Sequence, residues 1–206
     1  MKQNKLLRKN VFVIDHLEGT FSQEEIDRLN NQLDQINYSL RTKPHKMRYI
    51  MGLEDLFAQI TISIPPDIIQ TLILGIATNG IYDCVKAFFV NVWRIIKTKK
   101  FLKLQHGKVE ENATPIIHVQ AGAMKIVIPA DLDEKKFEYF VDKMFESINA
   151  ETVCKENYAV YDVNSGRIMH YTEKQIAQKA YWEWKVKQHE RENENEGFNQ
   201  KTGDDI

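Results

Sequence analysis

Cysteine is almost absent. The chain of 206 residues has only Cys84 and Cys154, with no CxxC pair and no other metal-like spacing. That excludes a disulfide framework and a zinc-ribbon pattern, and it fits a reducing compartment. Nine glycines and five prolines are too few for collagen-like or low-complexity architecture, and no internal repeat is visible. Charge of one sign is missing too. Lysine and arginine number 28 against 29 acids, a formal net charge of −1, so nothing in the whole-chain balance draws the protein to nucleic acid or to an anionic surface.

Long hydrophobic runs are likewise absent. The longest apolar stretch without charge, Ile68 to Tyr82, is 15 residues, short of the ~20 needed to cross a bilayer. Asp83, Lys86 and Arg94 interrupt the apolar residues beyond it. At the N-terminus Asp15 cuts off the VFVI run, so no signal peptide is expected. The chain also lacks a P-loop, GxGxxG and GxSxG, and no two of its six histidines stand at the i, i+4 spacing of paired metal ligands. No metal and no cofactor are assigned.

What is present is a patterned hydrophobic segment from Pro65 to Lys100. Pro65-Pro66 ends the alternating ITISI run and presets the first turn of a helix, with Asp67 where a helix N-terminus favours negative charge. After Gly75 to Gly80, the polar residues Asp83, Lys86, Arg94 and Lys97 lie opposite Ile81, Val85, Phe88, Phe89, Val92, Trp93 and Ile96. A second, amphipathic helix is predicted. Its apolar face is either core or an interface; for the interface reading the residues are Phe88, Phe89 and Trp93, joined by Trp182, which the helical pattern of 173–190 turns away from Trp184.

Outside that segment, VFVI reads as a strand, and Ser22 with Glu25 forms a capping box for a helix over 23–39. Residues 41–48 are basic and read as a loop; residues 97–115 read as a connection. PIIHVQAGAMKIVI is a hairpin turning at Ala121-Gly122, followed by a helix capped by Asp131 with Phe137, Phe140, Val141, Met144, Phe145 and Ile148 on one face. YAVYD-VNSG-RIMHY is a second hairpin, and Thr172 caps a last helix. Residues 190–206 are polar, acidic and aperiodic, and are expected to be disordered.

Three groups of residues are candidates for function. Asp15, His16 and Glu18 cluster at a strand end, where sites gather in mixed folds, and supply the carboxylate and imidazole of a hydrolase or nuclease reading. Arg94, Lys97, Lys99, Lys100 and Lys103 form a basic block directly after the apolar face, as contact with an anionic membrane surface requires. Phe88, Phe89, Trp93 and Trp182 are the protein-interface candidates. Nucleic acid is not expected as a partner, because neither basic block interleaves aromatics.

Together these readings predict an α+β fold, with short strands and two β-hairpins packed with amphipathic helices around the apolar helical pair of 65–100. The expected organisation is an α+β domain over 1–150, a hairpin-plus-helix module over 151–189 and a tail over 190–206. The expected function is a non-catalytic interaction or accessory protein of a microbial cytoplasm, self-associating or bound to a protein partner, or peripheral at the inner face of the membrane. The alternative is the small hydrolase or nuclease at Asp15–Glu18.

Overall fold

The computed structural model describes residues 10–46, 55–56, 59–75, 79–105, 108–113, 115–128, 132–155, 157–162 and 165–178. The chain divides into two compact units, residues 1–170 and 171–206. The first is α+β. Its elements are β1 (Val11–Leu17), α1 (Gln23–Asp34), β2 (Ser39–His45), β3 (Asp55–Leu56), β4 (Gln59–Ser63), α2 (Pro66–Ile73), α3 (Asn79–Thr98), β5 (Phe101–Gln105), β6 (Lys108–Ala113), β7 (Ile116–Ala121), β8 (Met124–Ile128), α4 (Glu134–Ser147), α5 (Ala150–Val153), β9 (Tyr158–Asp162) and β10 (Arg167–Tyr171).

Seven strands form one mixed sheet in the order β10-β9-β8-β7-β4-β1-β2, and β3-β5-β6 form a smaller one. Three pairs are parallel: β1 with β2, β4 with β7, and β8 with β9. Antiparallel pairing of β1 with β4 and of β7 with β8 links them. The β8–β9 pairing carries the large sheet across residue 150, so the second hairpin extends the same sheet.

Period-two alternation gives this sheet one buried face. Phe12, Ile14, Ile60, Ile62, Ile117, Val119, Met124, Ile126, Ile128, Ala159 and Tyr161 are all buried, and register places them on that side. The helices cover it. Phe88 of α3 packs on Phe12 with centroids 5.1 Å apart, Phe89 on Phe145 of α4, and Phe140 of α4 on Tyr161 of β9. Each fully buried aromatic removes enough apolar area to stabilise the fold by roughly 1.5–3 kcal/mol. Phe88, Phe89 and Trp93, the expected interface residues, are 0%, 0% and 6% exposed. They are the protein's own core, because a face that wide finds the sheet and α4 before it finds a partner; Trp93 stacks on Phe137 at 4.8 Å. No helix among the described residues is long and apolar enough to cross a membrane.

Several local expectations shift. The predicted first helix stops at Asp34, five residues early: Tyr38 N–H donates to Leu33 O and Asn37 N–H to Asp34 O, with Asn37 at φ 61°. This is a Schellman end built on an asparagine rather than the commoner glycine. It releases Ser39–His45 into β2, so residues 41–45 of the basic stretch read as a loop lie in a strand on the outer margin of the sheet. Pro44 is tolerated there because an edge strand needs no complete ladder. The stretch read as a connection contains the β5–β6 hairpin. The cap of α4 is Asp133, which accepts from the Lys136 amide at 2.9 Å, and not Asp131.

In the second unit the described residues end at 178. Thr172 Oγ1 accepts from the Gln175 amide and the Thr172 amide donates to Gln175 Oε1 at 2.8 Å, a capping box that opens the helical residues 173–178. Trp182 and residues 190–206 lie outside the described residues.

Candidate functional site

Ligands of open α/β sheets sit in crevices beyond the carboxyl ends of parallel strands. Two such crevices occur among the described residues. Because β4 runs antiparallel to β1, they open at opposite ends of the sheet. Beyond Ser63 of β4 and Gln120 of β7 lies a cavity of about 520 Å³ with Ile64, Pro66, Ile69, Ile73 and Val153 in its walls and the exposed Cys154 at its rim. It is apolar and offers no charge.

The crevice beyond β1 and β2 is different. Its volume is about 480 Å³, and it is lined by the turn Leu17, Glu18, Gly19 and Thr20, by Lys46 following β2, and by Lys99, Lys100 and Phe101 at the junction of α3 and β5. The turn is held by two amide bonds: Glu18 N–H donates to His45 O at 2.9 Å, and Thr20 N–H to Leu17 O at 3.1 Å. Gly19 takes φ +84° at the third position of that turn, a conformation glycine adopts without cost. Thus part of the expected basic block and part of the expected strand-end cluster meet in one place.

The two clusters do not meet whole. Asp15 and His16 are consecutive in a strand, so their side chains leave on opposite faces. Asp15 lies on the opposite face, where its carboxylate is 2.7 Å from His45 Nδ1, both about half exposed. His16 is 2% exposed on the helix side, against the edge of Phe21 at 4.9 Å. Its Nδ1 is 2.7 Å from Leu17 O. A carbonyl only accepts, so Nδ1 carries a proton, and the buried Nε2 has no hydrogen-bond partner among the described residues. Glu18 alone of the three lines the crevice. A shared Asp15–His16–Glu18 active site is therefore corrected: the strand's own alternation separates its members.

The basic block is divided as well. Arg94 pairs with Glu134 at 2.6 Å, a contact that raises its already high pKa, and Lys97 lies over the Trp93 ring at 5.2 Å. Lys99 is bound to Glu25 at 2.9 Å. Lys100 is exposed, as is Lys46, and neither has an ion-pair partner among the described residues. The backbone of Lys103 lies in β5, and its side chain lies outside what is described. Lys46 belongs to the basic stretch 41–48 noted in the sequence and Phe101 was not singled out; no periodicity or motif connects either to residue 18.

On the same face of the sheet as Asp15, His118 is held below its ordinary pKa, by burial first and then by the charge of Lys125. Its neighbours in register are Thr61 and Val127. No group of three His, Cys, Asp or Glu side chains suited to a metal ion occurs among the described residues. No protein-family model, curated protein or solved structure matches the chain.

Proposed function

We propose that the protein is a non-catalytic binding or accessory protein that recognises the anionic group of a ligand at the crevice beyond β1. The observation that carries this reading is the convergence of Lys46, Lys99 and Lys100 on one concave space of about 480 Å³, a size that suits a small molecule. Two of the three lysines have no carboxylate partner among the described residues, so they keep their charge for something else. Binding is favoured over chemistry because Asp15 and His16, the carboxylate and imidazole on which the hydrolase reading rests, leave β1 on opposite faces. Attachment to a membrane through the α3 apolar face is not favoured, because that face is core.

The test is calorimetric titration of inorganic pyrophosphate into the full chain and into Lys46→Met/Lys100→Met. Removing two charges about 4 Å from an anion near a protein surface should weaken binding at least tenfold. Added salt should weaken the wild type and leave the variant nearly unaffected. Equal binding by the two proteins overturns the proposal.

A further inference from the structure

Glu18 is the anomaly in the basic crevice. It lines the same space as three lysines, yet its exposed side chain forms no ion pair among the described residues. Lys99, the lysine with a partner, is bound to Glu25. Opposite charges in one crevice pair when their walls allow contact. Here the turn that bears Glu18 is held by the hydrogen bond of its amide to His45 O and by the Gly19 conformation, and Glu18 pairs with neither Lys46 nor Lys100 among the described residues. Both signs of charge are thus left open to the crevice.

Resting on the anion reading, we infer that the ligand is zwitterionic. Lys46 and Lys100 take an oxyanion such as a phosphate, Glu18 takes an ammonium group on the same molecule, and Leu17 and Phe101 face the carbon skeleton between them. A purely anionic ligand would have to sit beside the Glu18 carboxylate. One unit charge at about 4 Å changes affinity by roughly fivefold even in a water-like dielectric.

Phosphoethanolamine and sn-glycerol 3-phosphate separate the two terms, since both carry a phosphate monoester and only the first carries an ammonium. The full chain should bind phosphoethanolamine about tenfold more tightly than glycerol 3-phosphate. Glu18→Gln should erase that preference by weakening phosphoethanolamine and tightening glycerol 3-phosphate, and Lys46→Met/Lys100→Met should weaken both. Vesicles of phosphatidylethanolamine present the same pair of charges on a bilayer. Binding of the free probe without the vesicles assigns a small molecule, binding of the vesicles without the free probe assigns a headgroup, and either outcome carries the inference. Measurable and equal binding of the two free probes, or a Glu18→Gln protein that keeps the preference, overturns it and leaves the anion reading standing. Failure of all three, with pyrophosphate also unbound, overturns the anion reading itself.

Discussion

Lys99 Nζ lies 2.9 Å from one carboxylate oxygen of Glu25 and 3.0 Å from the other, so the side chain that closes the α1 capping box also receives the end of α3. Burial works against the charged carboxyl of Glu25. The Ser22 amide and then Lys99 outweigh it and hold the pKa below the ordinary 4.5. A carboxyl whose pKa is lowered by folding contributes stability that is complete above its unfolded pKa and is lost as pH falls through the folded value. The wild type should therefore lose stability on acidification below about 4.5. Glu25→Gln should be less stable at neutral pH by about 1 kcal/mol, with a shallower loss in acid. Denaturant titrations at neutral and acid pH check this, and parallel losses for the two proteins would remove Glu25 as the linked group.

The α3 and α4 faces are core, and two substitutions read that directly. Phe140 is 0% exposed between Phe137 and Tyr161. Phe140→Ala should cost about 3–5 kcal/mol in chemical denaturation. Phe88→Asp leaves an unpaired charge in the centre of the molecule and should prevent folding altogether. A cooperative, well-folded Phe88→Asp protein would return that face to the role of an interface.

Gly122 makes the turn between β7 and β8 at φ +61°, and a Cβ there would lie 2.6 Å from Val153 O. That carbonyl already accepts the Ala123 amide at 2.9 Å. Gly122→Ala therefore combines a left-handed conformation with a collision against backbone, and a loss of about 1–3 kcal/mol is expected. Thermal melting measures it; a change below about 0.5 kcal/mol would mean that α5 moves aside freely.

Two α3–α4 ion pairs differ in what surrounds them. Lys86 meets Asp142 at 2.8 Å with side chains 26% and 32% exposed, and Tyr82 donates to the same carboxylate at 2.8 Å. Burial, then that hydrogen bond, raises the Tyr82 phenol above its ordinary pKa. Arg94–Glu134 is about half exposed. Double-mutant cycles should give a coupling of about 1 kcal/mol for the first pair and under about 0.5 kcal/mol for the second. The reverse ranking would show that solvent screening is not what separates them.

Local chemistry was legible wherever the deciding groups are neighbours in sequence. Ser22 and Glu25 give their capping box away by spacing, Gly166 takes a φ of 65° in the turn that VNSG marks, and Phe137, Phe140, Val141, Met144 and Phe145 mark one face of α4 because 3.6-residue periodicity needs no tertiary knowledge. β2 was hidden because its basic residues and Pro44 look like a loop until β1 is there to pair with it. β5 and β6 lack a clean alternation, so only their pairing with each other reveals them. The separation of Asp15 from His16 was readable in advance from the strand itself. The meeting of Glu18 with Lys46 and Lys100 was not, since it depends on β2 pairing parallel with β1 and on α3 ending at that edge of the sheet.

The outer margin of β2 bears on how copies of this chain meet. An unpaired strand is a template on which another chain can add and begin a filament. This one is a poor template: at Pro44 the backbone has no hydrogen to give, and Arg41, Lys43 and Lys46 would bring like charges together as a second margin approached. Growth by strand addition is opposed along the same few residues that carry Lys46 to the crevice. A single basic run thus keeps neighbours away on one side while it turns a charge toward the cavity on the other.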